Sequence, residues 1–125
     1  MIPRLMAPKI LAALADTPVV FLAGARQTGK STLARWIADG PHPAQYLTFD
    51  DATVLAAATA DPAGFLAGFA GPVVLDEVQR VPALLMALKA QVDRDRTPGR
   101  YLLTGSANVL LLPRLAQELV GRMEV

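Results

Sequence analysis

The stretch Val19-Val20-Phe21-Leu22-Ala23-Gly24-Ala25-Arg26-Gln27-Thr28-Gly29-Lys30-Ser31-Thr32-Leu33 constrains this chain more than any other. A β-branched and aromatic run ends in Gly24. Four residues later come Gly29-Lys30-Ser31, and apolar residues at helical spacing follow. The pattern is G-x-x-x-x-G-K-[ST], set between a strand and a helix as its chemistry requires. Such a loop wraps a β-phosphate with inward-pointing backbone N–H groups. Gly24 and Gly29 permit the backbone angles and the close approach. A helix starting near Gly29 would aim the positive end of its dipole at the same anion. Gly24, Ala25, Arg26, Gln27, Thr28, Gly29, Lys30, Ser31 and Thr32 are therefore the expected nucleotide-binding residues. Lys30 is expected to reach the β- and γ-phosphates, and the Ser31 hydroxyl to bind Mg²⁺.

A second feature strengthens the first. Val73-Val74-Leu75 reads as an apolar strand and runs directly into Asp76-Glu77. Alone, an apolar strand ending in two acids is a weak signal, since many strand ends are solvated. Downstream of a phosphate loop it is the pattern in which Asp76 holds Mg²⁺, largely through water. Glu77 would then orient and polarise the attacking water. A further strand, Arg100–Thr104, ends in Gly105-Ser106-Ala107-Asn108. A polar side chain at that tip would sit between the phosphate loop and the acids. Ser106 is the first candidate for holding the γ-phosphate or the water, and Asn108 the second; a turn with local side-chain-to-backbone bonds is the plainer alternative.

Composition excludes several classes. At 125 residues the chain is expected to be one domain, 1–125. Hydrophobic residues make up 53%, which points to a packed core and away from disorder. A net charge of +1 gives no whole-chain case for nucleic acid. There is no cysteine, so disulfides and cysteine metal sites are out, and a reducing cytoplasm fits. No signal peptide is read at the N-terminus, and no apolar run approaches membrane-spanning length.

The remaining segments follow from punctuation and periodicity. A first helix is expected over about Pro8–Ala15, with Pro3 and Pro8 before it and Asp16-Thr17-Pro18 ending it. Leu33, Trp36 and Ile37 mark the helix after the loop, with Trp36 expected in core or lid packing rather than as a base-stacking platform. His42, between two prolines, is expected to be solvated and is given no role. Tyr46–Phe49 reads as a strand. Asp50-Asp51 at its end either caps the Ala-rich helix Thr53–Thr59 or touches a metal or substrate. Asp61-Pro62 starts a short helix carrying Phe65, Leu66 and Phe69. A helix over about Pro82–Asp93 carries Leu84, Leu85, Leu88 and Val92, and Asp93-Arg94-Asp95-Arg96 reads as its solvated end. Arg94, Arg96 and Arg100 are interleaved with Asp93 and Asp95, which weakens any phosphate-tracking patch. A last helix, Pro113–Val120, precedes Met123-Glu124-Val125, the start of a further strand.

Together, Gly24-Ala-Arg-Gln-Thr-Gly-Lys-Ser-Thr-Leu, Tyr46-Leu-Thr-Phe-Asp-Asp, Leu75-Asp-Glu-Val-Gln-Arg, Tyr101-Leu-Leu-Thr-Gly-Ser-Ala-Asn and Leu119-Val-Gly-Arg-Met-Glu resemble a family of prokaryotic ATPases of the AAA+ superfamily. These carry a further C-terminal domain of unknown function. The resemblance covers essentially the whole chain. It implies an α/β fold: a P-loop NTPase three-layer sandwich with a parallel sheet in the AAA+ strand order 5-1-4-3-2. By position it matches Ser106 to the sensor on strand four. It also matches Arg122, just before strand five, to the place of the arginine finger. Family members continue through strand five, a lid and the C-terminal domain. The chain is therefore expected to be a nucleotide-binding core with strand five essentially missing, which would leave strand one as a sheet edge.

Three functions compete at this stage. The first is Mg²⁺-dependent ATP hydrolysis in the cytoplasm, with Lys30, Ser31, Asp76 and Glu77 in the roles above and Arg122 acting across a homo-oligomer interface. The second is a nucleotide-dependent switch without turnover, read by a protein or DNA partner. The third, a GTPase or small-molecule kinase, is weaker. No Asn-Lys-x-Asp string reads guanine, and a kinase needs no water-activating acid beside Asp76.

Overall fold

A computed structural model describes residues 3–23, 30–105 and 122–124, with side chains over 8–22 and 32–105. The expected loop Gly24–Gly29, Ser106, Asn108 and the helix Pro113–Val120 lie outside the described residues, as do the side chains of Lys30, Ser31 and Arg122.

In chain order the elements are α1 (Pro3–Asp16), β1 (Val19–Ala23), α2 (Lys30–Asp39), β2 (Gln45–Thr48), α3 (Ala52–Ala60), α4 (Pro62–Ala67), β3 (Val73–Asp76), a 3₁₀ turn (Val78–Arg80), α5 (Ala83–Arg94), β4 (Tyr101–Gly105) and β5 (Arg122–Glu124). The five strands form one parallel sheet in the order β2-β3-β4-β1-β5. This is the implied order 5-1-4-3-2, read from the other edge. Crossovers of helix length are what parallel pairing demands.

The strands are apolar on both sides because both faces are covered. Val19, Phe21, Val73, Leu75, Tyr101 and Leu103 pack on one face with Leu66, Leu84, Leu85 and Leu88 from α4 and α5. Val20, Leu22, Val74 and Leu102 pack on the other with Ile10 and Leu14 of α1 and Leu33 and Ile37 of α2. The period of two along each strand assigns alternate residues to the two layers, giving the three-layer sandwich.

Five expectations need correction. The sheet does not end at β1: β5 pairs with it over Val20–Leu22, so those three residues are not a bare edge. Arg122 is accordingly the first residue of β5 and not one before it. Trp36 is 49% exposed and lies outside the core. The buried stripe of α2 is Leu33, Ala34, Ile37 and Ala38, and Trp36 falls off that arc at 3.6 residues per turn. His42 is half-buried rather than solvated: its Nε2–H donates to the Gly99 carbonyl at 2.8 Å. α1 also starts earlier than expected and runs through Pro8. Proline there forgoes one i→i−4 hydrogen bond, which the helix sustains.

The turn chemistry behaves as the residue types dictate. Asp51 caps α3, accepting from the Thr53 N–H at 2.8 Å and the Val54 N–H at 3.4 Å. Asp61 accepts from the Gly64 N–H at 3.0 Å, with Pro62 opening α4. Gly99 has φ +73°, and its N–H donates to the Thr17 carbonyl at 2.9 Å. That left-handed turn is what returns the chain into β4.

Candidate functional site

The site is built at the C-terminal ends of the strands. Ala23, the last residue of β1, is in register with Gly105, the last of β4. One step earlier Leu22 is opposite Thr104, and on the other side of β4 Leu75 is opposite Leu103. Parallel register therefore places Asp76 and Thr104 side by side. Both lie one residue below the level at which the chain leaves β1 for Gly24. The loop sequence and the acids emerge from the same end of the sheet, two strands apart, with β4 between them.

Burial decides what these side chains can do. Asp76 is 3% exposed, Glu77 4% and Thr104 0%. A buried carboxylate needs donors. The Thr104 hydroxyl donates to Asp76 Oδ1, and Thr104 Oγ1 in turn accepts the Glu77 backbone N–H at 3.2 Å. One hydroxyl thus ties both acids to β4. Asp76 shares strand parity with Val74, so it faces the layer of α1 and α2, whose first residues are Lys30 and Ser31.

Glu77 is unusual. Its φ and ψ are 62° and 49°, and it is the non-glycine residue with positive φ among those described. The left-handed region costs an ordinary side chain about 1–2 kcal/mol. The surroundings hold it there: Thr104 takes its N–H, and its own carbonyl accepts the Arg80 N–H at 3.2 Å. Its carboxylate accepts from Gln79 Nε2 at 2.6 Å. Strain of this kind gathers where a fold must aim a functional group.

The acidic pair after β2 splits. Asp51 turns away to cap α3. Asp50 stays exposed but close to the buried acids: one oxygen from each of Asp50, Asp76 and Glu77 lies within 4.8 Å of the others. Unit negative charges at such spacing repel by about 3 kcal/mol per pair at an effective dielectric near 20. Each acid is given a donor: Arg80 Nε meets Asp50 Oδ1 at 2.9 Å, Gln79 serves Glu77 and Thr104 serves Asp76. The set remains three hard oxygen ligands converging on one point, which suits a divalent cation such as Mg²⁺.

Thr104, Gln79 and Arg80 were not read from the sequence as parts of a site, whereas the sequence offers the Asp50-Asp51 pair as a metal or substrate contact in place of a helix cap. Thr104 had a signal, a hydroxyl one residue before the tip of an apolar strand. Gln79 and Arg80 had none, because the left-handed turn that folds them back is a tertiary feature. The Arg94–Arg100 cluster is interleaved with acids, Arg96 lying 3.8 Å from Asp93. Arg100 is mostly buried, donates to the Phe69 carbonyl and lies 3.5 Å from Asp95.

A parallel sheet in this order, with paired acids two strands from the one that leads into the loop sequence, defines an AAA+ type P-loop ATPase core. A family model described as an AAA domain matches residues 16–125, and the chain belongs to that family. The chain is 40% identical over 120 residues to two uncharacterized proteins, Mb2031c of Mycobacterium bovis and Rv2008c of Mycobacterium tuberculosis. Those matches cover 95% of this chain and 26% of each relative, so it spans about a quarter of their length. In fold it is similar to a RuvB variant of Thermotoga maritima, with a TM-score of 0.61 at 22% identity, covering 98% of this chain and 44% of that one. Among the described residues no helix is long and apolar enough to cross a membrane.

Proposed function

We propose that this chain binds Mg·ATP at the C-terminal end of its sheet and hydrolyses it there. The observation that carries the reading is the buried Asp76–Thr104–Glu77 arrangement, in which Thr104 of β4 stands between the acids and β1, the strand that the G-x-x-x-x-G-K-[ST] sequence follows. Gly24 through Thr32 would hold the phosphates, with Lys30 on the β- and γ-oxygens. Ser31 and Asp76 would hold Mg²⁺, with Asp50 and Glu77 close enough to bind its water shell. The ion, when bound, supplies neutralisation of charge on the phosphate oxygens.

The chain's own residues do the rest. Glu77, fixed in one backbone conformation, orients a water and accepts its proton as the water attacks the γ-phosphorus and ADP leaves. Burial keeps its carboxylate from being averaged over many rotamers. Ser106, one residue beyond the end of β4, is assigned the γ-phosphate or the water. Arg122 is the Cα partner of Val20, three residues before the end of β1. At about 3.3 Å per residue that is ~10 Å down the sheet from the loop. Its role is therefore assigned to the site of a neighbouring copy in a homo-oligomer. Protein or DNA partners belong to the longer context in which the family's members work, and a cytoplasmic setting fits a chain without cysteine.

The test is thermal unfolding with and without Mg·ATP, beside Lys30→Ala. At a hundred times the dissociation constant, nucleotide adds about 2.7 kcal/mol of stability. The expected result is an upward shift in the wild type that Lys30→Ala loses. A cooperative transition indifferent to nucleotide would sink the site.

A further inference from the structure

The 3₁₀ turn after Glu77 does more than terminate β3. Gln79 is half-buried, and its side chain folds back over two residues to reach Glu77 Oε1 at 2.6 Å. At that separation the group facing the carboxylate must be the amide N–H, since two oxygens would repel. The amide oxygen then points the other way, over Gly105. A Cβ built on Gly105 would meet Gln79 Oε1 at 2.9 Å, with Phe21 Cζ at 3.3 Å and Val78 Cγ2 at 3.4 Å. The absence of a side chain at position 105 is thus what makes room for the amide. Gly105 is in register with Ala23, the residue before the loop sequence. Gln79 therefore spans from Glu77 across the tip of β4 toward the start of the loop. On the same turn Arg80 is anchored to Asp50 at 2.9 Å.

We infer that Gln79 is a positioning residue for Glu77. It donates to one oxygen of the carboxylate and so holds the group in place. It fixes the rotamer of Glu77, and the left-handed backbone at Glu77 fixes its origin. An acid that must hold one water in line with a γ-phosphate needs both restraints, because a misplacement of about 1 Å can cost ~100-fold in rate. This inference rests on the hydrolytic reading above.

The experiment is steady-state phosphate release against ATP concentration for the wild type, Glu77→Gln, Gln79→Met and Gln79→Glu. Nucleotide affinity and thermal unfolding are measured on each. Methionine keeps the length of the side chain and removes the donor. Glutamate keeps the shape and sets an acceptor against Glu77. The expected result is a kcat lowered by about 10- to 100-fold in both Gln79 variants, with KM, Mg·ATP affinity and unfolding temperature near wild type in Gln79→Met and a lowered unfolding temperature in Gln79→Glu from the added carboxylate. Wild-type kcat in Gln79→Met, with Glu77→Gln inactive, would overturn this inference and leave the hydrolytic reading standing. Loss of affinity and stability in step with kcat in both Gln79 variants would make Gln79 a packing residue and also overturn it. Absence of turnover that depends on Glu77 would overturn the hydrolytic reading and this inference with it.

Discussion

At the C-terminal end of the sheet the chain buries two carboxylates and a hydroxyl, Asp76, Glu77 and Thr104, and satisfies them with side chains. At the opposite end the chain reversals are satisfied mostly by backbone. The Gly99 N–H donates to the Thr17 carbonyl and the Tyr101 N–H to the Pro18 carbonyl, each at 2.9 Å, and the Val73 N–H donates to the Arg100 carbonyl at 2.9 Å. Side chains at this end serve those backbone groups, as His42 serves the Gly99 carbonyl. Backbone pairing is neutral and closes the fold. The other end concentrates negative charge in a buried place, which costs stability unless a cation or a substrate uses it. The two ends should therefore respond to mutation in different ways: activity should fall at one and stability at the other.

The largest effect expected is on activity. Asp76→Asn removes the hard oxygen ligand nearest the loop-bearing strands, and Mg²⁺-dependent phosphate release should drop by at least ~100-fold, the equivalent of several kcal/mol at the transition state. Phosphate release at saturating Mg·ATP measures it. Thr104→Val should touch both properties. It keeps the shape but leaves the Glu77 N–H and an Asp76 oxygen without this partner, costing about 1–3 kcal/mol of stability. Chemical denaturation would show the loss, together with a lowered kcat. Gly99→Ala probes the other end alone. An alanine there keeps a strained φ of +73°, and its Cβ would meet His42 Cε1 at 2.7 Å and the Leu14 carbonyl at 3.0 Å. About 1–3 kcal/mol should be lost, with kcat unchanged. A large fall in kcat here would break the division between the ends.

Two smaller effects sharpen it. Asp51→Ala should cost about 1 kcal/mol through the lost cap of α3, with no effect on turnover. The smallest lies in the exposed turn before β4. The Thr97 hydroxyl and N–H, and Arg100 less strongly, hold the Asp95 carboxyl below its ordinary 3.8. A depressed carboxylate stabilises the fold fully above its unfolded pKa, and that contribution fades as pH falls through the lower folded value. Thr97→Val should move the Asp95 titration up toward 3.8, as carboxyl chemical shifts against pH would record, without altering activity at neutral pH.

The fold was legible because its signals are local and repeated. Val19–Ala23, Val73–Leu75 and Tyr101–Leu103 are almost wholly apolar, as strands covered on both faces must be, and Asp51, Asp61 and Gly99 punctuate the chain where their chemistry requires. Asp76 and Glu77 were legible for the same reason, as acids ending an apolar strand. Strand order came from the resemblance and not from periodicity, since parallel pairing leaves no trace in a single strand. Trp36 was misplaced because its spacing from Leu33 fits a helix face that Leu33, Ala34, Ile37 and Ala38 in fact define without it. The split of Asp50 from Asp51 and the return of Gln79 to Glu77 could not be read. Both depend on where β2, β3 and β4 end relative to one another, which sequence spacing does not encode.

The central claim is that the acid at position 77 drives hydrolysis from a nucleotide site at this end of the sheet. The most direct measurement compares phosphate release by the wild type and Glu77→Gln, with Mg·ATP binding confirmed for both by thermal shift. The account predicts that the variant keeps the nucleotide-induced shift and loses about 10²–10⁴-fold in turnover. Equal turnover in the two proteins would contradict it.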